Sequence, residues 1–490
     1  MSQLKRLASQ TAIYGVSSIL GRLINYTLVP LHTSVFGTMA MGEVGILFSY
    51  TAIFLVVYTF GMETAYFRFV NKEDTQETYN KASTAVIAIS TFLSVIILAA
   101  APKIAILIGL PDAVLLIRWL AVILWIDGIM AIPFARLRHE NRPILFAGIR
   151  VSNIFINVGL QLCFLWLFPN LIDIEILNNT DGTPGIGYIF LANLIANLFL
   201  FPLLWGYLRK IRFTFDWQAF KPMLRYAFPI MITGLAGMFN EQLANLMIEY
   251  FLPDDFYDTM SSTEAVGVYN QTLKLGVFMM LAIQAFRYAA EPFFFSQASD
   301  KNSPELFARV MHYFMLSGLV LLFAVSVNVD LIGAIFLRKP EFRVALYLVP
   351  ILLFAKLLNG IYLNLSIWFK LTDRTVYGMY FSILGAAITI GGNILLIPYI
   401  GYNGGALTMV LCYLVMCAVC YYYGQKYYPI PYQFSKIIPY LFATFLLVLL
   451  SGSFHLQNFL LESAIRVTIT LLILLGLFLR EKRHLLPKAG

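Results

Sequence analysis

The chain has 490 residues, of which 60% are hydrophobic and 12% are charged, and its formal net charge is +8. Its mean hydropathy is +0.77. A chain this apolar has too little polar surface to coat a soluble globule, so the sequence predicts an all-α polytopic membrane protein. A membrane β-barrel is excluded because its strands would appear as short alternating segments instead of long apolar runs.

Fourteen apolar runs in the sequence approach or exceed the roughly 20 residues that a helix needs to cross a bilayer. In chain order, the predicted transmembrane helices are 8–36, 41–69, 80–102, 112–137, 142–168, 186–208, 222–252, 263–297, 305–330, 343–371, 375–398, 403–426, 434–453 and 459–480. Lys and Arg concentrate in the segments on the same side as the N-terminus, which predicts that both termini are cytoplasmic. The positive net charge then follows from topology and does not indicate a nucleic-acid partner.

A basic, aromatic stretch interrupts the apolar sequence near its middle, at residues 207–225. Its cations and aromatic side chains predict an amphipathic connector on the cytoplasmic membrane surface. The aromatic side chains expected to dip into the membrane interface are Phe213, Phe215, Trp217 and Phe220. An ordinary cytoplasmic loop that follows the positive-inside bias is the alternative.

An internal repeat flanks this connector. Residues 127–129 match 359–361 at an offset of 232, and residues 44–46 match 266–268 at an offset of 222. Because six helices separate the paired segments, the two copies have the same orientation, which predicts two six-helix lobes related by a parallel repeat. The predicted divisions are an N-terminal lobe at 1–206, a cytoplasmic amphipathic linker at 207–221, a C-terminal lobe at 222–428, and helices 13 and 14 with the tail at 429–490.

Charged and amide side chains inside the predicted spans are the candidates for a functional site. Isolated charges in hydrocarbon cost several kcal/mol, so these groups must face one another, backbone carbonyls or water. A wet, net cationic cleft between the lobes suits a phosphate-bearing substrate, while structural pairing is the alternative. The candidate substrate-binding residues are Arg22, Asn25, Asn240, Glu241, Gln242, Asn245, Lys274 and Arg287. The candidates for ion coupling are Glu241, Glu249 and Glu291.

Patterns typical of enzymes are missing from the sequence. It contains no Gly-rich phosphate loop, no His-Glu-x-x-His and no cysteine pair with metal-ligand spacing. The prediction is therefore a protein that is not an enzyme, with no metal site and no cofactor beyond a possible coupling ion, Na⁺ or H⁺.

Two stretches carry a family resemblance. Residues 21–70, from GRLINYTLVPLHTSVFG to ETAYFRFV, and residues 391–411, GGNILLIPYIGYNGGALTMVL, resemble the Wzx-like polysaccharide-biosynthesis transporters of the multidrug/oligosaccharidyl-lipid/polysaccharide exporter (MOP) superfamily. The resemblance implies a V-shaped pair of lobes with a cavity lined by helices 1, 2, 7 and 8. Helices 13 and 14 resemble those that form a groove for the lipid tail in the lipid II flippase.

The resemblance also implies a function and a location. The expected activity moves an undecaprenyl-diphosphate-linked oligosaccharide, such as an O-antigen, capsule or exopolysaccharide unit, to the outer leaflet of the bacterial cytoplasmic (inner) membrane. In this hypothesis Arg22, Lys274 and Arg287 hold the diphosphate, and the amides contact the sugars. Expected partners are the lipid-linked substrate, membrane lipids, a polysaccharide polymerase and a chain-length regulator. The alternatives are a cation-coupled multidrug exporter, a lipid II flippase and a membrane oligosaccharide polymerase.

Overall fold

The fold is known from a computed structural model, which describes residues 19–70, 74–167, 177, 185–214, 217–297, 302–452 and 458–485. All regular secondary structure in these ranges is helical, which confirms the all-α prediction. The helices are α1 (19–26), α2 (Leu28–Val35), α3 (Thr38–Thr59), α4 (Met62–Phe69), α5 (Thr75–Leu107), α6 (Val114–His139), α7 (Pro143–Leu162), α8 (Gly187–Leu198), α9 (Leu200–Leu208), α10 (Trp217–Phe251), α11 (Ser262–Lys274), α12 (Val277–Gln297), α13 (Ser303–Val327), α14 (Val329–Phe336), α15 (Val349–Leu365), α16 (Ile367–Leu371), α17 (Val376–Ile400), α18 (Tyr402–Tyr427), α19 (Phe434–Gly452) and α20 (Phe459–Leu485). Short 3-10 or π-helical segments at Pro111–Ala113, Cys163–Leu167 and Pro340–Leu348 adjoin α6, α7 and α15.

Ten helical spans among the described residues are long and apolar enough to cross a membrane, or eleven if the bent pair α11 and α12 counts as one. Each of them lies on a run predicted from the sequence, and the chain is therefore a multi-pass membrane protein. The exact number of fourteen stays a prediction, since the first predicted run is described only from residue 19 onward.

Two of the predicted spans are broken at a glycine. Between α3 and α4, Phe60 and Gly61 have φ values of +50° and +68°. This left-handed conformation is cheap for glycine and costs other residues about 1–2 kcal/mol. Between α11 and α12 the chain bends by 44° at Leu275 and Gly276. Predicted helices 2 and 8 are thus each built from two pieces.

The helices group into two compact units. The first holds residues 1–270 and 375–412, and the second holds residues 271–374 and 413–490. This grouping follows packing, whereas the predicted lobes, linker and C-terminal segment follow the sequence repeat. The packing units do not test those divisions, which stay predictions.

In the first unit, α10 packs along α17, α3 and α4, and α6 packs along α5 and α8. The packing buries large aromatic side chains, since Tyr66 and Tyr79 are 0% exposed in a core that also includes Met62 and Ala227. Burial of aromatic area on this scale dominates the packing energy of such a core. The arrangement gives α10 neighbours along its length, so its polar residues meet other helices.

The basic stretch predicted as a surface connector is partly built into this unit. The carbonyl of Lys210 accepts a hydrogen bond from Gln76 Nε2 at 2.9 Å. The backbone N–H of Arg212 donates to Asn80 Oδ1 at 3.0 Å. These two bonds fix the chain before α10 to α5.

The aromatic side chains of the same stretch differ from one another in exposure. Trp217 is 69% exposed and Phe213 is 60% exposed. Phe220 is only 8% exposed and packs in the protein core, so the prediction that it dips into the membrane interface is wrong. An amphipathic pattern identifies an apolar face but does not tell whether lipid or protein covers it. Phe215 lies outside the described residues.

A carboxylate joins the predicted inner ends of three helices in the first unit. Glu140 accepts hydrogen bonds from Arg136 Nε and from the Tyr207 hydroxyl, both at 2.9 Å. Arg136 also donates to Gln76 Oε1 at 2.8 Å, which links α5 to α6. Burial alone would raise the pKa of Glu140, but the hydrogen bonds from Arg136 and Tyr207 and the charges of Arg136 and Arg142 outweigh it and lower the pKa.

In the second unit, α13 packs along α15 and α19, and a buried arginine holds α20. Arg466 is 6% exposed, and its guanidinium donates to Asp330 at 2.6 Å and to Glu462 at 2.5 Å. It also donates to the carbonyl of Ser451 at 3.2 Å. The i, i+4 pair of Glu462 with Arg466 is predictable from spacing. Asp330 lies 136 residues earlier and adds α14 to the contact.

Candidate functional site

The helix that opens the described chain carries the first two predicted site residues. Arg22 and Asn25 are both exposed side chains on α1. One turn after Arg22, the hydroxyl of Tyr26 interacts electrostatically with both Arg22 and Glu241. Because Coulomb interactions weaken with distance, α1 and α10 bring Arg22, Tyr26 and Glu241 into one neighbourhood.

Three amide side chains on α10 contact neighbouring helices. Asn240 is buried and accepts a hydrogen bond from Thr389 Oγ1 on α17 at 3.2 Å. Asn245 is 1% exposed and donates to Ser49 Oγ on α3 at 3.1 Å. Gln242 accepts from the same Ser49 hydroxyl at 3.3 Å. In this arrangement the amides join α10 to α3 and α17, each bond worth about 1 kcal/mol, and their predicted contact with sugars stays a prediction.

Carboxylates lie near the predicted outer ends of α3 and α10. Glu249 Oε1 accepts a hydrogen bond from Thr263 at 2.9 Å, while its buried Oε2 has no hydrogen-bond partner among the described residues. The charges of Asp112 and Glu249 both act on Glu43. Glu43, Asp112 and Thr263 line a cavity of about 360 Å³. Like charges that are brought together favour a proton or another cation near them.

The remaining predicted site residues belong to the second unit. Lys274 ends α11, and its ammonium donates to Gln271 Oε1 at 3.2 Å. Arg287 is an exposed side chain on α12. Glu291 lies on the same helix, but its side chain is outside the described residues, so its role in ion coupling stays a prediction. Joint binding of one anion by Arg22 and Lys274 is likewise a prediction, since the two belong to different units.

Two glycines allow α3 and α11 to approach closely at their predicted outer ends. A Cβ on Gly267 would lie 2.0 Å from the carbonyl oxygen of Thr38. A Cβ on Gly42 would lie 1.9 Å from the carbonyl oxygen of Thr263. Real Cβ atoms essentially never come within 3.0 Å of such an atom. Only glycine therefore permits this contact between the two helices.

An apolar groove of about 340 Å³ lies in the second unit, between α13, α15, α18 and α19. Its lining includes Leu319, Phe354 and Ile438, and apart from Cys417 and Tyr421 every lining side chain is a simple hydrophobe. Such a groove can take a hydrocarbon chain, whereas a charged headgroup there would lose its hydration without compensation. The groove uses α19, the first helix beyond the predicted repeat.

Sequence reasoning missed several polar residues of this region. Tyr26 follows Arg22 at i, i+4, so the spacing could have added it to the same face. Ser49 and Asp112 carry no such signal, because their partners lie on helices that are distant in the chain. Only the tertiary fold shows that they reach the polar residues of α10 and α3.

A family profile and several solved structures relate the chain to known proteins. The sequence profile of the family described as polysaccharide biosynthesis protein matches residues 7–296. No curated protein matches the chain in sequence. The solved structure of the lipid II flippase MurJ in an inward closed conformation is similar to the chain with a TM-score of 0.71 at 13% identity, over 96% of this chain and 99% of that one.

Other solved structures share the fold. An inward-facing multidrug resistance MATE family transporter of the MOP superfamily gives a TM-score of 0.65 at 13% identity, over 83% of this chain and 94% of that one. A MOP superfamily transporter from Pyrococcus furiosus gives 0.59 at 12% identity, over 87% of this chain and 98% of that one. At such identities the likeness shows the fold, which is that of MOP transporters.

Proposed function

The chain belongs to the polysaccharide biosynthesis protein family, whose profile matches more than half of it, and from this membership we propose that it is a lipid-linked oligosaccharide flippase. The proposed substrate is an undecaprenyl-diphosphate-linked repeat unit of an O-antigen, a capsule or an exopolysaccharide. The flippase moves it from the cytoplasmic to the outer leaflet of the bacterial inner membrane by alternating access, with both termini cytoplasmic. It transports its substrate and catalyses no chemical step, with a polysaccharide polymerase and a chain-length regulator as partners.

The observation that carries the proposal is the position of Arg22. Its guanidinium is exposed, and it shares a neighbourhood with Tyr26 on α1 and with Glu241 on the polar face of α10. An arginine in this setting can form charge-assisted, bidentate hydrogen bonds with a phosphate. In the proposal Arg22 therefore binds the diphosphate, with Lys274 and Arg287 as further cations, while Asn25 and the amides of α10 contact sugars.

The polyprenyl tail needs a separate, apolar path. We assign it to the groove between α13, α15, α18 and α19, because burial of each methylene is worth about 0.8 kcal/mol. Keeping the tail in this groove while the headgroup stays in a polar site separates the two halves of the amphipathic substrate. Transport then requires no exposure of the tail to water.

Ion coupling is the second part of the proposal. Glu241, Glu249 and Glu291 are the proposed coupling carboxylates, with Na⁺ or H⁺ as the ion. The acidic cavity beside Glu43 supports cation entry from the predicted outer side, because its like charges attract a cation. Loading a cation there would lower the repulsion between the carboxylates.

The test replaces Arg22 in a bacterial strain that lacks its own oligosaccharide flippase and displays a known surface glycan. Arg22→Ala should abolish glycan display with the protein still present in the membrane, and Arg22→Lys should retain part of it because the charge remains. The matched control is Arg118→Ala, an exposed arginine on α6, which should leave display unchanged. Normal display with Arg22→Ala removes this residue from the mechanism.

A second candidate function is a cation-coupled multidrug exporter of the same superfamily, which the acidic cavity at Glu43 and Asp112 favours. Such an exporter would protect cells against lipophilic cations, and Glu43→Gln would abolish that protection. Expression that restores glycan display without conferring resistance supports the flippase. Resistance without display supports the exporter.

A further inference from the structure

The break between α11 and α12 starts a new helix N-terminus inside a predicted membrane span. The N–H of Leu275 bonds to the carbonyl of Thr272 and that of Gly276 to the carbonyl of Leu273, both at 3.0 Å, so the chain turns tightly before α12 begins. The first N–H groups of a helix have no partner within it, and they make its N-terminus electrically positive. This break therefore offers hydrogen-bond donors to an anion.

A buried lysine from another helix packs against the same break. Lys356 on α15 is only 9% exposed, and a Cβ on Gly276 would lie 3.9 Å from Lys356 Cγ. Across the part of the chain that the structure describes, no ion pair or hydrogen bond engages Lys356. A buried cation without an anion is strongly unfavourable, so the ammonium of Lys356 requires a negatively charged partner.

Two more donors lie on the segment that leads into the break. Lys274 comes two residues before Gly276, and its ammonium contacts Gln271 Oε1 at 3.2 Å. Gln271 is 0% exposed, and its Nε2 finds no hydrogen-bond partner in the described ranges. Neither α15 nor residues 265–290 contain an Asp or a Glu, so these segments supply no acid to neutralise the two lysines.

We infer that Lys356, Lys274 and Gln271, together with the N-terminus of α12, form an anion site that takes a phosphate or diphosphate group. Phosphate oxygens are strong acceptors with enough charge to offset two ammonium groups, and helix N-termini bind them readily. The inference deepens the proposed function, on which its choice of substrate rests. It assigns a ligand contact to Lys356.

The experiment measures binding of inorganic diphosphate to the purified full-length protein by titration calorimetry. Lys356→Met should weaken binding at least tenfold, and Lys356→Arg should retain most of it because the charge stays in place. The matched control is Lys103→Met, an exposed lysine on α5, which should bind as the unaltered protein does. Unchanged binding by a folded Lys356→Met protein, or failure of the unaltered protein to bind diphosphate, would overturn the inference.

A second variant covers the case in which Lys356→Met does not fold. Lys274→Met should then weaken diphosphate binding several-fold, and unchanged binding by that variant also overturns the site. Competition distinguishes the two possible sources of the phosphate. Displacement of the bound diphosphate by an undecaprenyl-diphosphate probe assigns the site to the transported lipid. Displacement by phosphatidylglycerol alone shows instead that the site binds the headgroup of a membrane lipid.

The same variants separate this inference from the proposed function. If the protein binds diphosphate through Lys356 but moves no lipid-linked oligosaccharide, the anion site is supported and the proposed flippase function is refuted. If the protein moves the oligosaccharide and Lys356→Met changes neither diphosphate binding nor transport, the flippase function is supported and the anion site is refuted.

Discussion

Gly267→Ala tests whether the contact between α3 and α11 keeps the predicted outer end closed. The new methyl group would lie 2.0 Å from the Thr38 carbonyl oxygen, where Cβ atoms essentially never come within 3.0 Å, so the helices must move apart. Overpacking of this kind costs about 1–3 kcal/mol. If α3 and α11 make this contact only when the outer end is closed, the cost falls on that state alone, and the equilibrium shifts toward an open outer end by about 5- to 150-fold.

The assay is labelling of Met41→Cys by a membrane-impermeant maleimide added outside intact cells. Met41 is 0% exposed on α3, so labelling should be slow in the unaltered background and should rise when Gly267→Ala is added. The matched control is Gly237→Ala on α10, where a Cβ would meet nothing within 4 Å, and labelling should not change. Equal labelling with and without Gly267→Ala would refute the reasoning that this contact closes the outer end.

Further predictions concern the buried Arg466, the carboxylate of Glu140 and the carboxylate of Glu241 on α10. Arg466→Met leaves two carboxylates without their cation and should destabilise the protein by about 3–5 kcal/mol in detergent; an unchanged melting temperature would show that the pairs are worth little. The folded-state pKa of Glu140 is lowered from 4.5, so its stabilisation is present above that value and is lost as pH falls through the folded pKa. Glu140→Gln should therefore lower stability at pH 7 by about 1.5–3 kcal/mol and flatten the loss on acidification; a melting curve with the same pH dependence as the unaltered protein contradicts this. Glu241→Gln should make transport insensitive to an imposed Na⁺ or H⁺ gradient, whereas Glu305→Gln, an exposed residue on α13, should not; a retained gradient response excludes Glu241 as the coupling group.

The membrane spans follow directly from the sequence, because long apolar runs have few folded alternatives in a bilayer. The breaks within helices 2 and 8 do not. Gly61 and Gly276 interrupt helices, whereas Gly318 continues through α13 and only allows Leu357 to pack closely. Since glycine serves both purposes, the residue type alone does not mark a break, and the surrounding packing decides.

The candidate site, too, is only partly predictable from the sequence. The shared face of Glu241 and Glu249 on α10 is predictable from their helical spacing. Their partners on other helices, such as Thr263, depend on the tertiary fold. The position of Lys356 is the hardest to predict from the sequence. Its sequence neighbours are apolar, and only the structure shows that it lies beside the helix break at Gly276.

The most direct test of the flippase proposal is transport by the purified protein in liposomes. A fluorescent undecaprenyl-diphosphate oligosaccharide is placed in the inner leaflet, and its appearance outside is followed by the binding of an added lectin. Transport should be fast with the unaltered protein and with Arg118→Ala, and it should fall to the rate of empty liposomes with Arg22→Ala. A rate with the unaltered protein no higher than that of empty liposomes would contradict the proposal.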